Sequence, residues 1–163
     1  MQRIFFLLLS IFFLNTQAQE KKLWAKSVIN QKAPKLVVEK WLSEKPETKG
    51  KFVLIDFWAT WCGPCKKAIP DLNSYQKEFK NDLVVIGISD EPEYKVTRMT
   101  HPKVNYYSAI DTQKNIYNEL EVNAIPHCIL IDSKGIVRWE GYPLLKGHEL
   151  TAQTIKTIIS TYK

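Results

Sequence analysis

Long apolar runs are scarce in this chain. Among its 163 residues a single strongly apolar stretch stands out, Ile4 to Leu14. Its 11 residues fall well short of the roughly 20 that a helix needs to cross a bilayer core, so a multispanning membrane protein is excluded. Internal repeats and low-complexity tracts are missing too, and a content of 45% apolar and 25% charged residues is that of an ordinary globular domain. Cysteine is also rare, with three residues in all and none before Cys62. That is too few for a disulfide scaffold, and nothing near the N-terminus could carry a lipoprotein-type thioether.

The apolar stretch follows the positive charge of Arg3 and gives way to Asn15-Thr16-Gln17-Ala18, with small residues at 16 and 18. Residues 1–18 therefore read as a secretory signal cleaved after Ala18, with a core helix or an uncleaved anchor as the other readings. Cleavage would leave residues 19–163 as one soluble domain and lower the formal charge from +6 to +5, because Arg3 is the only charged residue removed. The basic excess lies early. Residues 19–70 hold 11 lysines and 5 acids, against 11 basic and 12 acidic groups in residues 71–163. These lysines are scattered with no run of five, so they read as solvated surface with a weak bias to acidic partners, and no nucleic-acid partner is expected.

Residues 19–50 read as a lead-in with one or two short edge strands. Phe52 to Trp58 is continuously apolar and β-branched apart from Asp56, which predicts a buried strand. Ala68, Ile69, Leu72, Tyr75 and Phe79 then recur at helical spacing. Further strands are expected at Leu83–Ile88, Tyr106–Ile110, Cys128–Ile131 and Ile136–Glu140, with helices at Tyr94–Met99, Thr112–Leu120 and near the C-terminus. Asp132-Ser133-Lys134-Gly135 marks a hairpin turn. Strands alternating with helices imply an α/β sandwich with helices on both faces.

Trp61-Cys62-Gly63-Pro64-Cys65 sits where the first buried strand hands over to a helix. The first sulfur of such a pair lies at the helix N-terminus, where free N–H groups and the helix dipole favour a thiolate. Lowering a thiol pKa from about 8.5 to about 7 requires roughly 2 kcal/mol, and a favourable helix end supplies a good part of it. The Cys65 thiol and the charge of Lys66 are candidates for the remainder. Cys62 is thus the candidate nucleophile and Cys65, one turn on, the resolving thiol. Pro64 lacks an N–H, which a first helical turn tolerates. A structural disulfide and half of a zinc site are the other readings of the pair. A four-ligand zinc site needs a second pair, and His101, His127 and His148 are isolated, so no metal is expected.

Asp56-Phe57-Trp58-Ala59-Thr60-Trp61-Cys62-Gly63-Pro64-Cys65-Lys66, with Pro70 and the later Ile125-Pro126, closely resembles the thioredoxin family. The lead-in Ala33-Pro34 and the Ile131-Asp132-x-x-Gly135 turn are most similar to its exported TlpA/ResA-like branch. The resemblance implies a thioredoxin-like sandwich with a mixed central sheet, an N-terminal extension and a strand–helix insertion around residues 91–120. It implies thiol–disulfide exchange outside the cytoplasm in which Cys62 attacks, Cys65 resolves, Asp56 accepts the Cys65 proton and Pro126 is a cis-proline facing the dithiol. Trp61, Gly63, Pro64, Ile125 and Pro126 would form the substrate groove. Physical chemistry supports the Asp56 role, since a carboxylate in an apolar strand costs several kcal/mol when ionised and its pKa should rise toward neutrality. A satisfied structural aspartate is the other reading.

The implied partners are disulfide-containing exported proteins, with apocytochrome c as one candidate, and a membrane thiol-reducing transporter as electron donor. No cofactor is implied, and a monomer is expected. Gly63 and Pro64 match the reducing end of the family, although an oxidant or isomerase of the same fold and a non-catalytic binding module are alternatives. A peroxidase would carry proline and a hydroxyl residue seven and three places before Cys62, where this chain has Ile55 and Ala59. Cys128 reads as a buried inert thiol rather than a third redox cysteine. His127 either tunes the thiolate or is an exposed bystander. Pro70 is expected to kink the helix. Trp24, Trp41 and Trp139 read as packing residues.

Overall fold

The structure, a computed structural model, describes residues 24–163, so the signal segment read at residues 1–18 lies outside the described residues. Six strands and four helices follow in order: β1 (Lys40–Trp41), β2 (Phe52–Trp58), α1 (Gly63–Glu78), β3 (Leu83–Ser89), α2 (Glu93–Arg98), β4 (Tyr107–Ile110), α3 (Asn115–Glu119), β5 (His127–Ile131), β6 (Val137–Gly141) and α4 (Ala152–Tyr162). They build one mixed sheet in the order β1-β4-β3-β2-β5-β6. β2, β3 and β4 are parallel, which requires the crossovers that α1 and α2 supply, whereas β5, β6 and β1 run antiparallel to their neighbours.

β2 and β3 are covered on both faces, which is why they read as apolar runs on both faces, with Asp56 the one charged residue in them. Side-chain alternation splits them between two cores. Leu54, Trp58 and Val85 pack with Cys65, Ile69 and Leu72 of α1 and Ile155 of α4. Ile55, Phe57, Ile86 and Ile88 pack with Ile116 and Tyr117 of α3 and with the lead-in. Helices therefore lie on both faces, as the alternation predicts.

The lead-in makes one two-residue strand, and its apolar run Leu36–Val38 stays outside any strand. Instead it crosses the α3 face from edge to edge. Lys32 bridges Ile136 next to β6, and Lys40–Trp41 pairs with Ala109–Ile110 of β4. The buried Glu140 carboxylate ties it down by accepting the Val28 N–H at 2.8 Å and the Ser27 hydroxyl. Two other boundaries depart from the periodicity. α3 starts at Asn115 rather than Thr112 because Lys114 is left-handed (φ 57°) and the Asp111 carboxylate caps the Ile116 N–H at 3.0 Å. α2 stops at Arg98, ahead of a cis His101–Pro102 peptide. α1 is a continuous helix through Pro70. Trp139 is buried and stacks on His148, whereas Trp24 is 45% exposed.

Candidate active site

The turn after β2 delivers Cys62 to the N-cap of α1 with extended backbone angles (φ −78°, ψ 104°). Its sulfur accepts the Cys65 backbone N–H at 3.1 Å, in the place usually taken by a capping oxygen. Pro64 occupies the first turn, where its missing donor costs nothing. Cys62 and Cys65 form a disulfide with Sγ–Sγ 2.00 Å, both residues nearly covered. In this disulfide state the donor reaching the Cys62 sulfur is the Cys65 main-chain amide.

The loop before Cys62 is held by a residue that the motif does not contain. Glu91 is buried just past β3 and accepts the Thr60 N–H at 2.5 Å and the Thr60 hydroxyl at 3.0 Å. Its own N–H donates to the Ser89 hydroxyl at 3.2 Å. The only legible hint is its place at the C-terminal end of a central parallel strand, where α/β sheets gather functional groups.

Trp61 is 68% exposed and, with Ile125, lines a cavity of about 390 Å³ that also takes in Val122, Asp90 and Lys114. Asp90 and Lys114 form an ion pair at 2.8 Å on its wall. Gly63 and Pro64 are exposed at the start of α1, and Pro126 is buried behind a cis Ile125–Pro126 peptide. The cavity therefore unites two of the five expected groove residues; the others are not among its lining. A second concavity at the lead-in, between Leu36 and Thr48, contains none of the redox residues.

Asp56 is buried in the α1-side core that also holds Cys65. Burial pushes its carboxyl up to about 7, against the opposing pull of its hydrogen bonds from Cys128 and Tyr106. Those two donors, rather than Cys65, are its partners in the disulfide state. Cys128 is fully buried and its thiol is pushed well up by desolvation and by the Asp56 charge, which fits the inert reading.

His127 corrects the sequence reading. It is 2% exposed, faces Phe57 across β5 and β2 with ring centroids 6.1 Å apart, and is neither a groove residue nor a bystander on the surface. Burial pushes its pKa down to about 4, so at neutral pH it carries no charge with which to stabilise a thiolate.

The sequence pattern of the AhpC/TSA family matches residues 29–140, more than half of the chain. The chain belongs to the AhpC/TSA family. Among family relatives it is 33% identical to the thiol-disulfide oxidoreductase ResA of Bacillus cereus over 118 residues, 69% of this chain and 68% of that one. It is 29% identical to the thioredoxin-like protein YneN of Bacillus subtilis over 115 residues, 66% and 68% of the respective chains. The solved thioredoxin domain of a thiol-disulfide oxidoreductase from Bacteroides vulgatus superposes with a TM-score of 0.67 at 22% identity, covering 85% of this chain and all of that one. This AhpC/TSA member is a thiol–disulfide oxidoreductase of the thioredoxin-like, ResA type, with its cysteine pair at disulfide distance.

Proposed function

We propose that this oxidoreductase works outside the cytoplasm and reduces disulfides of exported proteins, apocytochrome c being one candidate client. The observation that carries the reading is Cys62 at a helix N-cap, its sulfur accepting the Cys65 amide. The Cys62 thiolate attacks a client disulfide, forms Cys62–S–S–client and releases the client's other sulfur as a thiolate. Asp56 takes the proton of Cys65, and the Cys65 thiolate then attacks the Cys62 sulfur. This closes the Cys62–Cys65 disulfide and releases the second client thiolate, so two electrons pass from protein to client.

The exposed Trp61 and the half-buried Ile125 offer an apolar wall to an extended client, and Gly63, Pro64 and Pro126 complete the groove in this proposal. A membrane thiol-reducing transporter would return the electrons. Export rests on the segment before residue 19; among the described residues no helix is long and apolar enough to cross a membrane. Expression of Cys65→Ser in the native cell tests the reading, because this variant retains the attacking thiol and loses the one that releases clients. Exported disulfide proteins should accumulate on Cys62 and disappear on reduction. Capture of cytoplasmic proteins alone would contradict the proposal.

A further inference from the structure

Asp56 sits in a line of four residues that crosses the sheet on the α1 side. Tyr106 lies just before β4, Gly87 on β3, Asp56 on β2 and Cys128 on β5. Gly87 and Cys128 are the register partners of Asp56 on either side. The Tyr106 hydroxyl donates to Asp56 Oδ2 at 3.2 Å, and the Cys128 thiol donates to Oδ1 at 3.4 Å.

The tyrosine reaches the carboxyl only because β3 has no side chain in between. A Cβ on Gly87 would lie 2.8 Å from Tyr106 Cε2 and 2.9 Å from Trp58 Nε1. Gly87 has no positive φ to explain it, so its missing side chain serves the passage of this ring. Asp56, Cys128 and Tyr106 are all buried. One donor on each oxygen is the arrangement that suits a carboxylate, because a protonated acid would have to turn one of these oxygens into a donor.

We propose that Tyr106 and Cys128 are positioning residues for Asp56, orienting its two oxygens and keeping the carboxylate available to receive the Cys65 proton. The inference rests on the reading of Asp56 as that acceptor. Neither residue gains or loses a proton: Cys65–SH and Asp56–COO⁻ become Cys65–S⁻ and Asp56–COOH, while both donors stay neutral. Burial alone would hold the carboxyl protonated through neutral pH, and donors to its charged form oppose that. The other titratable groups coupled to the cluster are acids as well. They are Tyr117 of α3, which feels the Asp56 charge, Tyr75 of α1, which feels Cys128, and Cys65 once the disulfide opens.

The experiment follows the Asp56 carboxyl by its 13C chemical shift as pH is varied, in the full chain in its disulfide form. Tyr106→Phe and Cys128→Ala, each lacking one donor, should raise the midpoint from near 7 by about one pH unit. Cys128→Ser, which restores a donor, should return it toward the wild-type value. The pH midpoint of disulfide closure on a client mixed disulfide should rise in parallel in the first two variants. An unmoved Asp56 titration in both Tyr106→Phe and Cys128→Ala overturns the positioning claim. The acceptor reading fails separately, if Asp56→Asn leaves the pH profile of closure unchanged. Tyr106→Phe removes a single oxygen and Cys128→Ala a single sulfur at a different site, and where one of them does not fold, an unmoved titration in the other alone overturns the claim.

Discussion

Asp56→Asn is expected to make the protein more stable at pH 8 and to leave its stability at pH 4 nearly unchanged. The sign follows from where protons are held. The native carboxyl titrates near 7 and the unfolded one near 3.8, so between those values the native state keeps a proton that the unfolded chain has released. Stability falls with rising pH across that window by about 1.4 kcal/mol per pH unit, reaching a penalty of up to about 4 kcal/mol above pH 7. Asparagine cannot ionise, so the penalty vanishes.

His127 acts in the opposite sense. Its native pKa near 4 lies below the ordinary 6.5, so as pH falls through that interval the unfolded chain binds a proton that the native state refuses. Its contribution is fully present above 6.5 and is lost toward 4. Between pH 4 and 6.5 the two slopes cancel in the parent protein. Denaturant unfolding across this range should therefore show a shallow dependence on pH from these two groups. Asp56→Asn should unmask a positive slope of about 1.4 kcal/mol per unit. A stability difference between parent and Asp56→Asn that is the same at every pH would show that the carboxyl is not perturbed by burial.

The second large effect is on turnover. Cys62→Ser should reduce insulin reduction to the rate of dithiothreitol alone, since Cys62 is the attacking sulfur of the proposed exchange. Cys128 is fully buried and its thiol is pushed well up, so it supplies no thiolate at neutral pH. Cys65→Ser should also lose turnover, but at a later stage, with one client-derived thiol bound per chain through Cys62. Mass spectrometry of the intact protein distinguishes the two arrests. Residual turnover in Cys62→Ser above the dithiothreitol background would mean that another sulfur attacks.

Much of the fold is legible because its signals are local. Phe52–Trp58 is apolar on both faces, the Cys-x-x-Cys follows at once, and α1 carries its apolar residues at helical spacing. These three facts place the cysteine pair at the end of a buried strand and the start of a helix from sequence alone. The candidate site beyond the motif is less legible, because it depends on register. Gly87 and Cys128 become neighbours of Asp56 only when β3 and β5 pair with β2 at one particular alignment. Tyr106 joins them only because it reaches over the glycine.

His127 looks polar and therefore exposed in isolation, yet β5 is an interior strand buried from His127 to Ile131, and a histidine there has no route to water. Glu91 carries no motif at all. Its function in pinning Thr60 emerges from the crossover that brings the end of β3 beside the end of β2. The residues missed at the site thus share one cause, long-range pairing across strands, and the successes share another, chemistry confined to a few consecutive residues.

The most direct test of the account concerns the ionisation of Cys62. The rate of iodoacetamide alkylation of Cys62 in the reduced protein should be measured from pH 5 to 10, with Cys65 distinguished by peptide mapping. A sulfur at a helix N-cap, beside the Cys65 main-chain amide, predicts a half-maximal rate clearly below the about 8.5 of a free thiol. A midpoint at or above 8.5 would contradict it.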